Sequence, residues 1–285
     1  MTITDPAATP TAAGTHHPPL EIAPDTFVMQ AAVGEGEAPQ VVHMNSMVIR
    51  AAEPVVVDTG APIHRERYLE DLFGLVEPAD VRWVFVSHED LDHVGNVEAV
   101  MAACPNATLV ASWFLCERMG AAGLAVPPTS WRWVGDGETF EVGDRTLVAL
   151  RPPVYDSPTT RGLFDPTTGV YWASDAFAVP VATPTLWASD MDADQWTGGF
   201  AAFQRWNSPW LDVVDTERFG AEVSRLAWLD IRTIATCHGP TVDQGMVPRA
   251  LEAMALLPGM SAPPQPAQPV LDEIVAAMAA APSMA

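Results

Sequence analysis

The stretch Val81 to Gly95, VRWVFVSHEDLDHVG, constrains this chain more than any other. Its apolar, β-branched first half (Val81 to Val86) fits a buried strand, and a burst of His88, Asp90, Asp92 and His93 follows at the strand's C-terminal end. In open α/β sheets ligand sites lie beyond the carboxyl ends of strands, so these groups stand where chemistry is usually done. Side chains at 88, 90 and 92 can converge from one loop on a cation, and His93 reaches a second position beside it. The pattern is one of two adjacent metal ions.

Composition bounds what surrounds such a loop. At 285 residues, 48% of them hydrophobic, the chain supplies the core of one large α/β domain or two smaller ones. A formal charge of −22 sets up a field that repels nucleic-acid phosphates and anionic membranes, so neither is an expected partner. No apolar run approaches the roughly 18 residues of a membrane-spanning helix. The N-terminus, MTITDPAATPTAAGTHHPP, has neither the basic start nor the apolar stretch of a secretion signal. Cys104, Cys116 and Cys237 are too few and too scattered for a disulfide framework; they read as small buried residues of a reduced, cytoplasmic protein.

Residues 1–22, rich in Thr, Ala and Pro, are expected to form a disordered tail in which His16 and His17 are solvated. Residues 23–258 carry the folded domain. Strands are expected at Phe27 to Gln30, Val41 to Arg50 and Val55 to Val57, the last ending in Asp58-Thr59-Gly60. His43 reads as a packed strand residue, and His64 opens a helix running to Val76. Beyond the metal loop the pattern predicts a helix at Val97 to Ala103, a strand at Thr108 to Ala111 and a helix at Trp113 to Met119. A hairpin follows, Thr139 to Val142 and Thr146 to Leu150 around a Gly143-Asp144 turn. Two further apolar strands end in Asp175 and in Cys237-His238-Gly239-Pro240. Between them, Trp187 to Trp210 places Trp196, Phe200, Phe203 and Trp206 near helical spacing. That stripe faces the core or walls off the site; the core reading is preferred. Asp215 or Thr216 caps a helix that turns Phe219, Val223, Leu226 and Ala227 inward. Residues 259–285 read as a Pro-rich linker and an amphipathic helix carrying Val270, Ile274, Val275 and Met278, able to dock on the body or on a second subunit of a homo-oligomer.

His88-x-Asp90-x-Asp92-His93, after a strand and before Val94-Gly95-Asn96, resembles the H-x-H-x-D-H motif of the metallo-β-lactamase superfamily, with Asp90 in the central His place. A carboxylate there is similar to the H-x-E-x-D-H of the superfamily's diiron branch, the flavodiiron and oxygen-binding diiron proteins. The resemblance implies an α/β fold, the αββα four-layer sandwich. It also implies that Asp58 braces the metal loop by holding a ligand His, that Asp175 bridges the two metals and that His238 is the last ligand. One metal then has His88, Asp90 and Asp175; the other has Asp92, His93, Asp175 and His238. The branch's remaining His falls within Arg151 to Thr160, yet the sequence contains no histidine between His93 and His238. Val154 or Tyr155 takes its place, with Asp156 a further candidate ligand. A phenolate at Tyr155, a carboxylate at Asp156 or a water each complete the shell. Asp92 and Tyr155 are the candidate catalytic residues.

Replacing nitrogen by hard oxygen ligands suits iron or manganese better than zinc. The resemblance thus implies two metal ions, iron ahead of zinc or manganese, and a protein that binds or reduces a small ligand such as dioxygen or nitric oxide, or uses it to oxidise a substrate. Flavodiiron enzymes carry an additional flavodoxin domain. This sequence has no room for one and no Gly-rich phosphate loop, so no bound flavin is expected and a separate electron donor is. A dizinc hydrolase of an ester, lactone or thioester is the alternative, with Asp90 and the missing His counting against it. A degenerate mono-metal scaffold is the third reading.

Overall fold

The computed structural model describes residues 9–11, 14–35 and 40–280. Two β-sheets face each other, and helices cover both outer sides, so the expected αββα sandwich is the fold found. The first sheet runs β1 (Thr9–Thr11), β2 (Gly14–Ala23) and β3 (Thr26–Val33), with β4 (Val42–His43) paired to β3. It continues through β5 (Ser46–Ile49), β6 (Val55–Val57), β7 (Trp83–Phe85), β8 (Thr108–Ala111) and β9 (Trp131–Trp133). The second holds β10 (Thr139–Glu141), β11 (Thr146–Leu150), β12 (Gly162–Asp165), β13 (Val170–Trp172) and β14 (Thr233–Ala235) in order.

The register of the parallel pairs positions the site. β6 and β7 align Val57 with Phe85, so Asp58 and the Ser87-His88 loop leave the first sheet at the same end. β13 and β14 align Trp172 with Ala235, so Asp175 and His238 leave the second sheet together. The space between the sheets is filled by Val28, Val57 and Phe85 from one side and Leu147, Leu163 and Trp172 from the other, all at most 1% exposed. Rigid, dry strands thus end where the loops begin.

Outside the first sheet lie α1 (Arg65–Leu75), the single turn α2 (Leu91–Val94), α3 (Val97–Ala103) and α4 (Trp113–Ala121). Outside the second lie α5 (Ala193–Asn207), α6 (Thr216–Ala227) and α7 (Val247–Leu256). Asp215 caps α6 by accepting from the Arg218 N–H, and Phe219, Val223 and Leu226 form its buried stripe. Ala227, expected to turn inward, is exposed at the last position of that helix. In α5 the core reading of the aromatic stripe holds for Trp196 and Phe200, which stack with centroids 5.2 Å apart. Trp206 is 41% exposed instead. α8 (Gln268–Ala280) follows the Pro-rich segment with Val270, Ile274 and Val275 exposed.

The expected disordered tail is corrected over residues 14–22. They belong to β2, which pairs antiparallel with β3, and His16 and His17 are buried rather than solvated. Pro18 and Pro19, which lack a donor N–H, sit where the register shifts between His17 and Leu20, so the ladder bulges around them. Composition hid a strand that its partner specifies. Residues 1–8, 12 and 13 of that tail lie outside the described residues.

Candidate metal centre

Three loops deliver His88, Asp90, Asp92, His93, Asp175 and His238, and the loop between β11 and β12 delivers Asp156. The loop after β7 turns at once into α2, which carries Asp92 and His93. It closes at Gly95, where a Cβ would stand 2.3 Å from Pro62 Cδ and 2.4 Å from the Leu91 carbonyl, so only glycine passes. The loop after β13 brings Asp175, preceded by Ser174 in the left-handed region at φ 56°. That after β14 brings His238.

Asp175 divides its two oxygens between two sets of candidate ligands. Its Oδ1 lies 3.0 Å from His93 Nε2 and 3.5 Å from His238 Nε2, while its Oδ2 lies 3.6 Å from His88 Nε2. On the first side Asp92 Oδ2 is 3.1 Å from His238 Nε2. On the second, Asp90 Oδ2 is 3.8 Å from His88 Nε2, and Asp156 offers an oxygen within 4.8 Å of both residues' ligand atoms.

Each histidine is held in the tautomer that frees its Nε2. His93 Nδ1–H donates to Asp58 Oδ2 at 2.8 Å, and His238 Nδ1–H donates to the His43 carbonyl at 2.8 Å. For His88 the proton direction follows from a chain of hydroxyls. Ser87 Oγ donates to Asp58 Oδ2 at 2.7 Å and Ser174 Oγ donates to Ser87 Oγ at 2.9 Å, which leaves Ser174 Oγ to accept from His88 Nδ1–H at 3.1 Å. Asp58, wholly buried, also accepts from the Ser87 N–H and from Trp172 Nε1–H at 2.9 Å. One carboxylate therefore orients two ligand histidines through direct and relayed hydrogen bonds.

The consequence is a set of buried lone pairs facing one another. Among the described residues His88 Nε2, His93 Nε2 and Asp175 Oδ1 have no hydrogen-bond partner, a costly arrangement unless cations or protons fill it. Burial by itself would raise the Asp175 carboxyl, but His238, His88 and His93 hold it far below the usual carboxylate range. Burial is likewise outweighed at Asp92, held down at about 2 by His238 and His93. Burial would lower His93 and His238, yet nearby Cys237 and the surrounding carboxylates raise both well above an ordinary imidazole. The residues fit a pair of cations, which would replace these protons.

All of His88, Asp90, Asp92, His93, Asp175 and His238 come together as expected, and Asp156 joins them. Tyr155 does not. Its ring packs on Trp210, centroids 5.1 Å apart, and its carbonyl accepts from Trp210 Nε1–H at 2.8 Å, so the phenol is held in a cavity with Arg151 and Arg218. Four contributors escaped the sequence reading: Ser87, Ser174, Trp172 and the carbonyl of His43. A signal existed for two of them, since a Ser directly precedes both His88 and Asp175. Cys237 was read only as a buried apolar residue, yet its sulfur lies within 4.8 Å of ligand atoms of Asp92, His93 and His238. Phe203 packs its ring 6.0 Å from that of His238, which gives the aromatic wall a single member at the centre. Beside it Gln204 Nε2 donates to the Asp175 carbonyl at 3.0 Å.

A family profile described as ODP family beta lactamase matches residues 42–239. "Putative diflavin flavoprotein A 2" of a Nostoc species is 33% identical over 150 residues, 52% of this chain and 26% of that protein. "Nitric oxide reductase" of Moorella thermoacetica is 23% identical over 149 residues, 52% of this chain and 37% of that protein. This chain therefore spans a minor part of the length of either relative. Among solved structures, the flavodiiron protein from Giardia intestinalis superposes with a TM-score of 0.70 at 19% identity, covering 84% of this chain and 59% of that one. That likeness is one of fold.

Proposed function

The chain belongs to the ODP beta-lactamase family, and on that premise we propose that it holds two iron ions and reduces dioxygen or nitric oxide with electrons from a separate donor. In this reading His88, Asp90, Asp156 and Asp175 hold one ion, and Asp92, His93, Asp175 and His238 hold the other. The observation that carries it is the division of Asp175: one oxygen faces His93 and His238, the other faces His88. A single carboxylate so placed serves two cations.

The donor set supports iron. Four carboxylates and three imidazoles make a harder shell than the nitrogen-rich one zinc prefers, and bound iron supplies the electrons that such a reduction consumes. The chain's own residues do the rest. The Asp58, Ser87 and Ser174 relay fixes His88 and His93, and the His43 carbonyl fixes His238, before any ligand arrives, which is preorganisation in the sense that lowers barriers. Phe203 sets an apolar ring beside His238. The relatives named above as a diflavin flavoprotein and a nitric oxide reductase agree with this chemistry. Three buried free cysteines suit a reducing cytoplasm, and among the described residues no helix is long and apolar enough to cross a membrane.

The test is metal content and redox response of protein made in iron-supplemented medium. We expect about two irons per chain and an optical spectrum that changes on adding dithionite and is restored by oxygen or nitric oxide. Stoichiometric zinc, no redox response and turnover of an ester or lactone would replace this reading by the hydrolase.

A further inference from the structure

The centre uses three of the seven histidines. A second pair lies apart from it. His16, from β2, and His64, from the turn before α1, approach with His16 Nε2 3.0 Å from His64 Nδ1 and rings set edge to face at 83°. Both are almost wholly buried, 5% and 3% exposed, and His64 Nε2 has no hydrogen-bond partner among the described residues. They line a cavity of about 10 Å³, room for a single ion or water. Met29, buried in β3, and Met44, from the connection between β4 and β5, line the same cavity.

We propose that His16, His64, Met29 and Met44 form a separate binding site for a soft monovalent cation, copper(I). Two nitrogens 3.0 Å apart both reach an ion placed roughly 2.0–2.1 Å from each, the ordinary imidazole–metal length. Imidazole together with thioether selects copper(I) over hard divalent ions. The charge balance points the same way. Asp71 also lines the cavity, but its carboxylate pairs with Arg67 at 2.9 Å, so its charge is balanced and the four proposed donors are themselves neutral. A neutral buried site takes one charge at far lower desolvation cost than two. Burial keeps both imidazoles uncharged at neutral pH, with His16 pushed down to about 4, so a single proton holds the hydrogen bond between His16 Nε2 and His64 Nδ1; the ion would take its place as that imidazole's proton moves to its other ring nitrogen.

None of these donors belongs to the metal loop, and the test separates the two sites. Protein loaded with iron is titrated anaerobically with copper(I) in competition with bicinchoninate. We expect about one copper withdrawn per chain by the wild type, the same by D92A/H238A, and none by H16N/H64N. Should the histidine variant fail to fold, M29L/M44L, which conserves side-chain volume, is expected to keep the wild-type melting temperature and weaken copper(I) binding at least about tenfold, about 1.4 kcal/mol. No withdrawal by the wild type, loss of the copper in D92A/H238A, or unchanged affinity in either site variant would overturn the proposal.

Discussion

Substituting Asp58 by Asn tests whether the buried relay, rather than the ligands alone, makes the centre. Asp58 accepts four hydrogen bonds: from the Ser87 N–H and Oγ–H at 2.7 Å, from His93 Nδ1–H at 2.8 Å and from Trp172 Nε1–H at 2.9 Å. Its backbone sits at φ 56°, a left-handed conformation that Asn adopts nearly as readily as Asp, so the substitution leaves the chain path alone. The amide can keep its oxygen toward the three donors that share Oδ2. Its NH₂ then confronts the Ser87 N–H, and both buried donors are left without an acceptor, at a cost of about 1–3 kcal/mol each. The charge beside His93 is also gone, so the imidazole is free to change tautomer and lose its Nε2 lone pair. Removing the group that orients a ligand histidine costs about 10–100-fold in metal affinity, or about 1.4–2.8 kcal/mol at tenfold per 1.4 kcal/mol. Anaerobic competition for iron(II) against a chelator reads the second quantity, and thermal melting of metal-free protein reads the first. Affinity within about threefold of wild type, with an unchanged melt, would refute the argument that Asp58 holds His93.

Four further outcomes follow from the same geometry. Trp172→Phe removes one donor to Asp58 from a wholly buried ring and is expected to cost about 1–2 kcal/mol in chemical denaturation. Asp156→Ala should lower bound iron from about two per chain toward one while Tyr155→Phe leaves it unchanged, as elemental analysis would show; iron lost in Tyr155→Phe and kept in Asp156→Ala would return the choice to Tyr155. Metal affinity should fall as pH drops, and the fall should begin above the ordinary imidazole pKa, because the metal-free protein raises His88, His93 and His238; chelator competition at pH 8 and pH 6 measures it. His43 is buried neutral, its pKa lowered by burial from 6.5 to about 3, so the folded state binds its proton less readily than the unfolded chain. Its contribution is present above pH 6.5 and is lost as pH falls toward about 3, at about 1.4 kcal/mol per pH unit. His43→Leu, which keeps the carbonyl that holds His238, should therefore flatten the acid limb of the stability curve.

What the sequence determined by itself is local and periodic. A β-branched run followed by candidate ligands at alternate positions is written in contiguous residues, so the strand within Val81 to Val86, the side chains of its loop and the strands that end before Asp175 and His238 were all legible. So was the sandwich, through the family resemblance that the metal loop carries. The tertiary structure decided whatever depends on distance through space. It turned Tyr155 onto Trp210 and left Asp156 at the centre, because the Trp210 indole and Ser208 hydroxyl, more than fifty residues away, pin the Tyr155 carbonyl. It drew residues 14–22 out of an apparently disordered composition, because a strand with two prolines is stabilised by its partner and not by its own propensity. It linked His88 to Asp58 through two serines on different sheets, and it brought His16 against His64 across 48 positions. Hydrogen bonds and burial act between neighbours in space, and only the folded chain fixes which residues those neighbours are.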